Sequence, residues 1–218
     1  MLDIDDRTLS SDTPFGEYFM RQLTLNPALQ DFARSTFDVL APHSQLPIAQ
    51  VQSISRAGIE YALEQAARVH NDRHKRLSKP MRLRIFESAI EIFLARSEAL
   101  ALDAALEGGK PLADSRVEVE RAIDGLRCCV DAIRGESGSV IPMALGNSSY
   151  GRTAFTQRSP IGVVLAYSAF NHPVNLIVHQ VCSALAAGCP VVIKPSERTP
   201  ISCHNVVDCL LEAGYPRN

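Results

Sequence analysis

The sequence predicts an α/β fold, part of a doubly wound parallel sheet preceded by long helices. Two continuous apolar runs, Gly162–Tyr167 and Pro190–Lys194, read as buried parallel strands, each followed by a turn and a helix-opening proline. Ahead of them, three long stretches carry apolar residues at helical spacing. The composition agrees. Of 218 residues, 46% are hydrophobic and 21% charged, the balance of a globular chain with one large domain or two small ones.

Residues 1–36 read as an N-terminal extension, punctuated at Asp12-Thr-Pro14 and Asn26-Pro27, with Phe15, Phe19 and Leu23 suggesting one short helix. Pro42 and Pro47 break the next stretch, which leaves room for short strands near Phe37–Leu40 and Ile48–Val51. Ser55 precedes a helix to about His70. Ser78-Lys79-Pro80 starts a longer one, whose Leu83, Phe86, Ile90, Phe93, Leu94 and Leu100 share a face, and Gly108-Gly109 stops it. A third helix runs from about Leu112 to Arg134, with Gly135 as its expected C′ residue.

The periodicity then changes. Thr153–Arg158 alternates as a half-exposed strand, and Gly162–Tyr167 begins the first buried one. Pro173 opens a helix that Gly188 ends, Pro190–Lys194 is the second buried strand, and Thr199-Pro200 opens a helix that Gly214 closes. This is a βαβα unit, whose crossover is right-handed by strong rule. From Gly162 onward there are only three basic and three acidic residues, so layers are expected on both sides of the sheet. A doubly wound sheet ordinarily has more strands than these two. The sequence stops at Tyr215-Pro-Arg-Asn218, where a third would begin, and so reads as a fold cut in the middle.

Charge narrows the partners. Lys and Arg total 22 against 24 Asp and Glu, a net charge of −2, which does not imply nucleic acid. The basic stretch Arg68–Arg84 has no interleaved aromatic and reads as a solvated helix junction. No apolar run is long enough to span a bilayer, and the acidic start lacks a secretory signal, so a cytoplasmic protein without membrane contact is expected. The six cysteines form no CxxC pair and read as reduced thiols in packed helices and strands. His70 and His74 share the i, i+4 spacing of paired ligands but lack a visible third, and no metal site is expected.

In open parallel sheets, ligands bind beyond the carboxyl ends of the strands. Two turns occupy such places: Ser168-Ala-Phe-Asn-His-Pro173 and Lys194-Pro-Ser-Glu-Arg-Thr-Pro200. Asn171 could donate a side-chain N–H to a developing oxyanion. Lys194 and Glu197 could hold a ribose, the ammonium donating and the carboxylate accepting. Local pattern alone favours Asn171 as turn chemistry and Lys194–Glu197 as a solvated ion pair.

The longer segments Pro160-Ile-Gly-Val-Val-Leu-Ala166, Phe170-Asn-His-Pro-Val-Asn-Leu176 and Ala184–Pro200 closely resemble the aldehyde dehydrogenase superfamily. Upstream, Leu106-Glu-Gly-Gly-Lys-Pro111 resembles that family's Glu-Thr-Gly-Lys-Pro segment, with Gly108 in place of Thr. The resemblance spans about 37–218, and implies the N-terminal part of a Rossmann-like cofactor-binding domain. It places Asn171 on the oxyanion-hole asparagine. It places Lys194, Ser196 and Glu197 on the adenosine-ribose contacts, and Ser168 and Phe170 on the lining of the cofactor cleft. Residues 145–158 fall on a hairpin used in oligomerisation, so a homo-oligomer is expected. Ala169 replaces a usual proline.

The family's activity is oxidation of an aldehyde to a carboxylic acid with NAD(P)⁺. A cysteine thiolate attacks the aldehyde, hydride passes to the cofactor, and a glutamate base helps water release the acid. The resemblance puts that cysteine and glutamate beyond Asn218, so the chain alone is expected to be inactive. Glu197 favours NAD over NADP, because a 2′-phosphate would meet like charge. The Phe-Asn-His-Pro variant is similar to that of members acting on small aldehydes bearing a phosphonate or sulfonate. The alternative is a shortened non-catalytic homologue that acts by subunit association.

Overall fold

A computed structural model describes residues 20–23 and 26–217. The expected helix near Phe15 and Phe19 lies outside the described residues, while Leu23 belongs to a strand, β1 (Arg21–Leu23). Asn26 caps a short 3-10 turn at Pro27–Phe32. Strands β2 (Ala33–Leu40) and β3 (Pro47–Ile54) then pair antiparallel, and β1 adds in parallel to the free side of β3. Both strands are longer than the alternation around Phe37 and Ile48 implies.

Four α-helices follow rather than three. Ser55 accepts from the Gly58 amide and caps α1 (Arg56–Asn71). Ser78 accepts from the Met81 amide and, with Pro80 in the first turn, starts α2 (Lys79–Ala95). The single helix expected to run to Gly108 is divided at Arg96, and α3 (Ser97–Gly108) begins there. No glycine or proline marks the break. Arg96 leaves the helical backbone at φ −107°, and its Nη2 donates to Glu212 Oε2 at 2.6 Å. Gly109 ends α3 at φ +64°, and a Cβ there would lie 2.9 Å from the Pro42 ring, so the position needs glycine on two counts. The fourth helix, α4 (Leu112–Gly135), takes in Gly135 as its last residue, so the cap falls on Glu136 rather than the glycine closing the helix from outside.

Two-residue strands β4 (Val140–Ile141) and β5 (Ala154–Phe155) form a short antiparallel pair. The hairpin therefore begins before the 145–158 span expected from the sequence, and its strands are shorter than Thr153–Arg158.

The βαβα unit stands as read. β6 (Val164–Tyr167) and β7 (Val191–Lys194) pair in parallel, in register from Val164–Val191 to Tyr167–Lys194. Between them α5 (Pro173–Ile177) runs through a π turn (Val178–Cys182) into α6 (Ser183–Ala186) as one continuous helix. The Ser183 hydroxyl donates to the His179 carbonyl inside that turn. α7 (Pro200–Glu212) completes the unit. Cys189 falls in the joint before β7 rather than in a strand.

The main core joins α2, α3, α4, the crossover helix and α7 through Phe86, Phe93, Leu126, Val174, Ile177, Val181 and Val206, all essentially without solvent contact. A smaller cluster of Val39, Ile48, Ala49 and Ile201 seats the three-stranded sheet against α7. Arg21 grips Asp103 in a two-pronged ion pair at 2.6 and 2.8 Å, and Asn205 donates to the same carboxylate, tying β1 to α3 and α7.

β6 is open to solvent on one side, whereas β7 is half-buried and has α1 near it. Leu165 is 42% exposed and Tyr167 64%, although the apolar run predicts burial. Leu165 and Tyr167 alternate with Ala166, which is buried in the main core, so they share the opposite face of β6. Each large apolar side chain left exposed forgoes about 1.5–3 kcal/mol, against a whole-domain stability of ~5–15 kcal/mol. The purified chain is therefore expected to bind an apolar-surface dye such as anilinonaphthalene sulfonate in its native state. Replacing Leu165 and Tyr167 with serine should lower that fluorescence several-fold at unchanged helicity. A sharp melt of a dye-silent monomer would contradict this.

Candidate active site

The parallel register brings the carboxyl ends of β6 and β7 side by side, so the two turns that follow are neighbours. The Ser168 amide donates to the Lys194 carbonyl at 3.0 Å, one step beyond the strand ladder. The Arg198 guanidinium lies 5.1 Å from the centre of the Phe170 ring, a cation–π contact between the turns. Ser168, Phe170, Asn171, Lys194, Ser196 and Glu197 thus share one edge of the molecule. Phe170, Asn171, Lys194 and Glu197 are exposed there, while Ser168 and Ser196 are half-buried.

Within the second turn, Ser196 Oγ accepts from the Arg198 amide at 3.2 Å, a local turn bond. Lys194 Nζ lies 3.3 Å from Glu197 Oε1, an exposed pair that contributes little to stability. A donor and an acceptor are therefore adjacent and both open to solvent. His172 is exposed and begins the crossover helix without a side-chain cap of its own.

The residues that hold these turns are ones the sequence reading passed over. Neither His172 nor Thr199 caps the helix it precedes, and both helices start on a proline. Their free amides are taken by two buried glutamates from the N-terminal helices. Glu118 of α4 accepts from the Val174 and Asn175 amides at 2.7 and 2.9 Å, both through Oε1. Its other oxygen, Oε2, pairs with Lys110 Nζ and lies 3.7 Å from His172 Nδ1. Glu107 of α3 accepts from the Ile201 and Ser202 amides at 2.8 and 2.7 Å, one on each oxygen. Both carboxylates are 1% exposed. A carboxylate at a helix N-terminus meets unpaired amides and the positive end of the helix dipole, which offsets part of its desolvation. The only sequence signal was indirect: Glu107 and Lys110 stand in the Glu-Gly-Gly-Lys-Pro segment, and Glu118 sits on the apolar side of α4.

Burial pushes the Glu107 carboxyl up to about 7, with the two backbone amides opposing the rise and Asp103 adding to it. A carboxyl whose folded value is raised favours its protonated form in the folded state. Its contribution to stability is then complete below the ordinary carboxylate range and is lost as pH climbs toward 7. Urea midpoints measured from pH 4.5 to 7.5 should show the wild type losing ground to the E107Q variant over that window, by up to about 3 kcal/mol. Parallel pH profiles would mean that Glu107 titrates normally.

The cysteines offer no nucleophile at this edge. Five are buried and only Cys128 is exposed. Burial raises the thiols of Cys129 to about 11 and Cys203 to about 12, and lifts Cys182 and Cys209 as well. In the native state at pH 8, Ellman's reagent should therefore label one thiol quickly, and the C128S variant should remove that fast phase. No group of three or more His, Cys, Asp or Glu among the described residues is placed to hold a metal ion.

In open parallel α/β sheets ligands bind beyond the carboxyl ends of the strands, which is where these two turns lie. Comparison with known proteins makes the class specific. The model of the aldehyde dehydrogenase family matches residues 30–218, and the chain belongs to that family. It is 35% identical to the 3-sulfolactaldehyde dehydrogenase of Priestia aryabhattai over 83% of its own length and 37% of that protein's. Its fold superposes on aldehyde dehydrogenase 21 of Physcomitrella patens, solved with the product succinate, with a TM-score of 0.82 at 28% identity, covering 89% of this chain and 40% of that one. It also matches the glyceraldehyde-3-phosphate dehydrogenase of Methanocaldococcus jannaschii, solved with NADP, with a TM-score of 0.76 at 30% identity, covering 83% and 38%. The chain thus spans little more than a third of the length of such relatives.

Proposed function

We propose that these 218 residues supply the oxyanion donor and the adenosine-ribose contacts of an NAD-dependent aldehyde dehydrogenase, which oxidises a small aldehyde to its carboxylic acid. The observation that carries this reading is the meeting of the Asn171 turn and the Lys194–Glu197 turn at one strand-end edge, linked by the Ser168–Lys194 hydrogen bond. Asn171 presents an exposed side-chain amide that can donate to the oxygen of a reacting carbonyl. Lys194 donates to, and Glu197 accepts from, the hydroxyls of the adenosine ribose, while Ser196 shapes their turn and Ser168 and Phe170 line the cleft. This donor set fits a nicotinamide dinucleotide, which would supply the hydride acceptor.

The nucleophilic thiolate and the general base are assigned to sequence outside these residues, and the portion in hand to the N-terminal part of the fold. The buried, proton-holding cysteines described above support that assignment. A sulfonate-bearing or similarly small aldehyde is the favoured substrate class, in keeping with the relative active on 3-sulfolactaldehyde. The protein is assigned to the cytoplasm, with six unpaired thiols, and to a homo-oligomer built through the β4–β5 hairpin, which exposes Val140 and Phe155. The exposed Leu165 and Tyr167 also suit the second reading, a non-catalytic chain that works by association.

Two measurements test the reading. In an amide NMR titration, NAD⁺ should shift residues 194–197, and NADP⁺ should bind about tenfold more weakly, a difference of ~1.4 kcal/mol that the E197Q variant abolishes. Equal or tighter NADP⁺ binding by the wild type would reverse the cofactor preference, and no shift with either dinucleotide would remove the ribose site. With several aldehydes and NAD⁺, the chain alone should give no rise in reduced nicotinamide. Without a thiolate there is no tetrahedral adduct for Asn171 to stabilise. Turnover lost on mutating any one cysteine would identify a nucleophile and overturn this.

A further inference from the structure

We infer that Glu118 and Lys110 form a positioning pair for the Asn171 turn, so that a buried carboxylate on α4 sets where the oxyanion donor stands. The inference rests on the reading of Asn171 given above, but its geometry is independent of any ligand. Asn171 itself is exposed, and its side chain has no hydrogen bond among those found in the described residues. The backbone around it is secured from elsewhere. On one side, Glu118 Oε1 holds the Val174 and Asn175 amides, fixing the helix start three residues on. On the other, Oε2 holds Lys110 Nζ, and the same ammonium reaches the Asn171 carbonyl at 3.5 Å. His172, between the two, faces Oε2 at 3.7 Å. One carboxylate therefore has a direct or relayed contact with Asn171, His172, Val174 and Asn175, and Pro173, itself buried, fixes the backbone between them.

The division between the two oxygens gives each a separate task. Oε1 caps the helix, a structural role that a neutral amide oxygen can also fill. Oε2 uses its charge, because a carboxylate holds the Lys110 ammonium, 16% exposed beside the turn, more strongly than a neutral amide oxygen would. Ala169 adds to the demand. The turn lacks the rigidity a proline would lend at that position, so its order depends on outside contacts. An oxyanion donor acts through preorganisation, since a donor that must be ordered during the reaction gives up much of its effect.

The test uses the 218-residue chain and backbone ¹⁵N relaxation, with variants K110M, E118Q and the double variant K110M/E118Q. The double variant removes both charges together and leaves no unpaired ion in the interior. In the wild type, residues 169–172 should be as ordered as the helices, with order parameters of about 0.85. In E118Q the amide-proton shifts of Val174 and Asn175 should persist, because Gln retains the accepting oxygen. In all three variants the order parameters of residues 169–172 should drop below about 0.6 while α5 and α6 stay rigid. Order at 169–172 that is unchanged in K110M and in the double variant overturns the inference. So does a loss spread evenly over residues 169–182, which would mark Glu118 as a helix cap and nothing more. The dinucleotide titration reports at residues 194–197, so a failure of the functional reading is seen there in the wild type and leaves this comparison standing.

Discussion

The constraint on which the rest of the structure depends is the burial of two carboxylates at the starts of two helices. Glu107 and Glu118 stand on either side of the Gly109-Lys110-Pro111 joint, one ending α3 and the other in the second turn of α4. Each reaches out of the helical layer to a helix of the βαβα unit, and each satisfies two backbone amides that no local residue caps. A buried carboxylate without such donors would be strongly destabilising, and each buried amide left without an acceptor would cost about 1–3 kcal/mol more. The two deficits cancel only when the layers are docked in one register. The hydrophobic core of Phe86, Phe93, Leu126 and Val206 holds the layers together, and it is the polar contacts that say where they meet.

The parts of the fold that came through in the sequence are those set by local physical chemistry. Pro173, Gly188 and Pro200 bound elements whose apolar content leaves few alternatives, and the parallel pairing of Val164–Tyr167 with Val191–Lys194 follows from a helix lying between them. Ser55 and Ser78 announce their helices because capping is a contact within three residues. The break at Arg96 did not come through, since no glycine or proline marks it in the sequence. Glu107 and Glu118 did not either. An acidic residue in a helical pattern reads as solvated, and only the arrival of distant amides makes a buried glutamate sensible.

The site divides the same way. That Asn171, Lys194 and Glu197 lie in strand-end turns was legible, because the strand and helix boundaries around them are locally marked. Their surroundings were not: the Arg198–Phe170 stacking and the Lys110 reach to Asn171 depend on how the turns lie in space. What separates the visible residues from the hidden ones is sequence distance. Residues that present chemistry to solvent cluster in short turns, whereas those that hold the turns in place are contributed by helices formed much earlier in the chain.

The π turn at Val178–Cys182 gives the crossover helix a slack of its own. A wide turn contains one residue more than a regular helix needs to cover the same rise. The helix connects two fixed ends, the Glu118-held amides at Val174 and Asn175 and the left-handed Gly188 before β7. A one-residue change in the length of this connection can therefore be taken up by tightening or widening that turn, with neither end displaced. The crossover thus carries its one surplus residue at a single turn, away from the edge bearing Asn171 and Lys194.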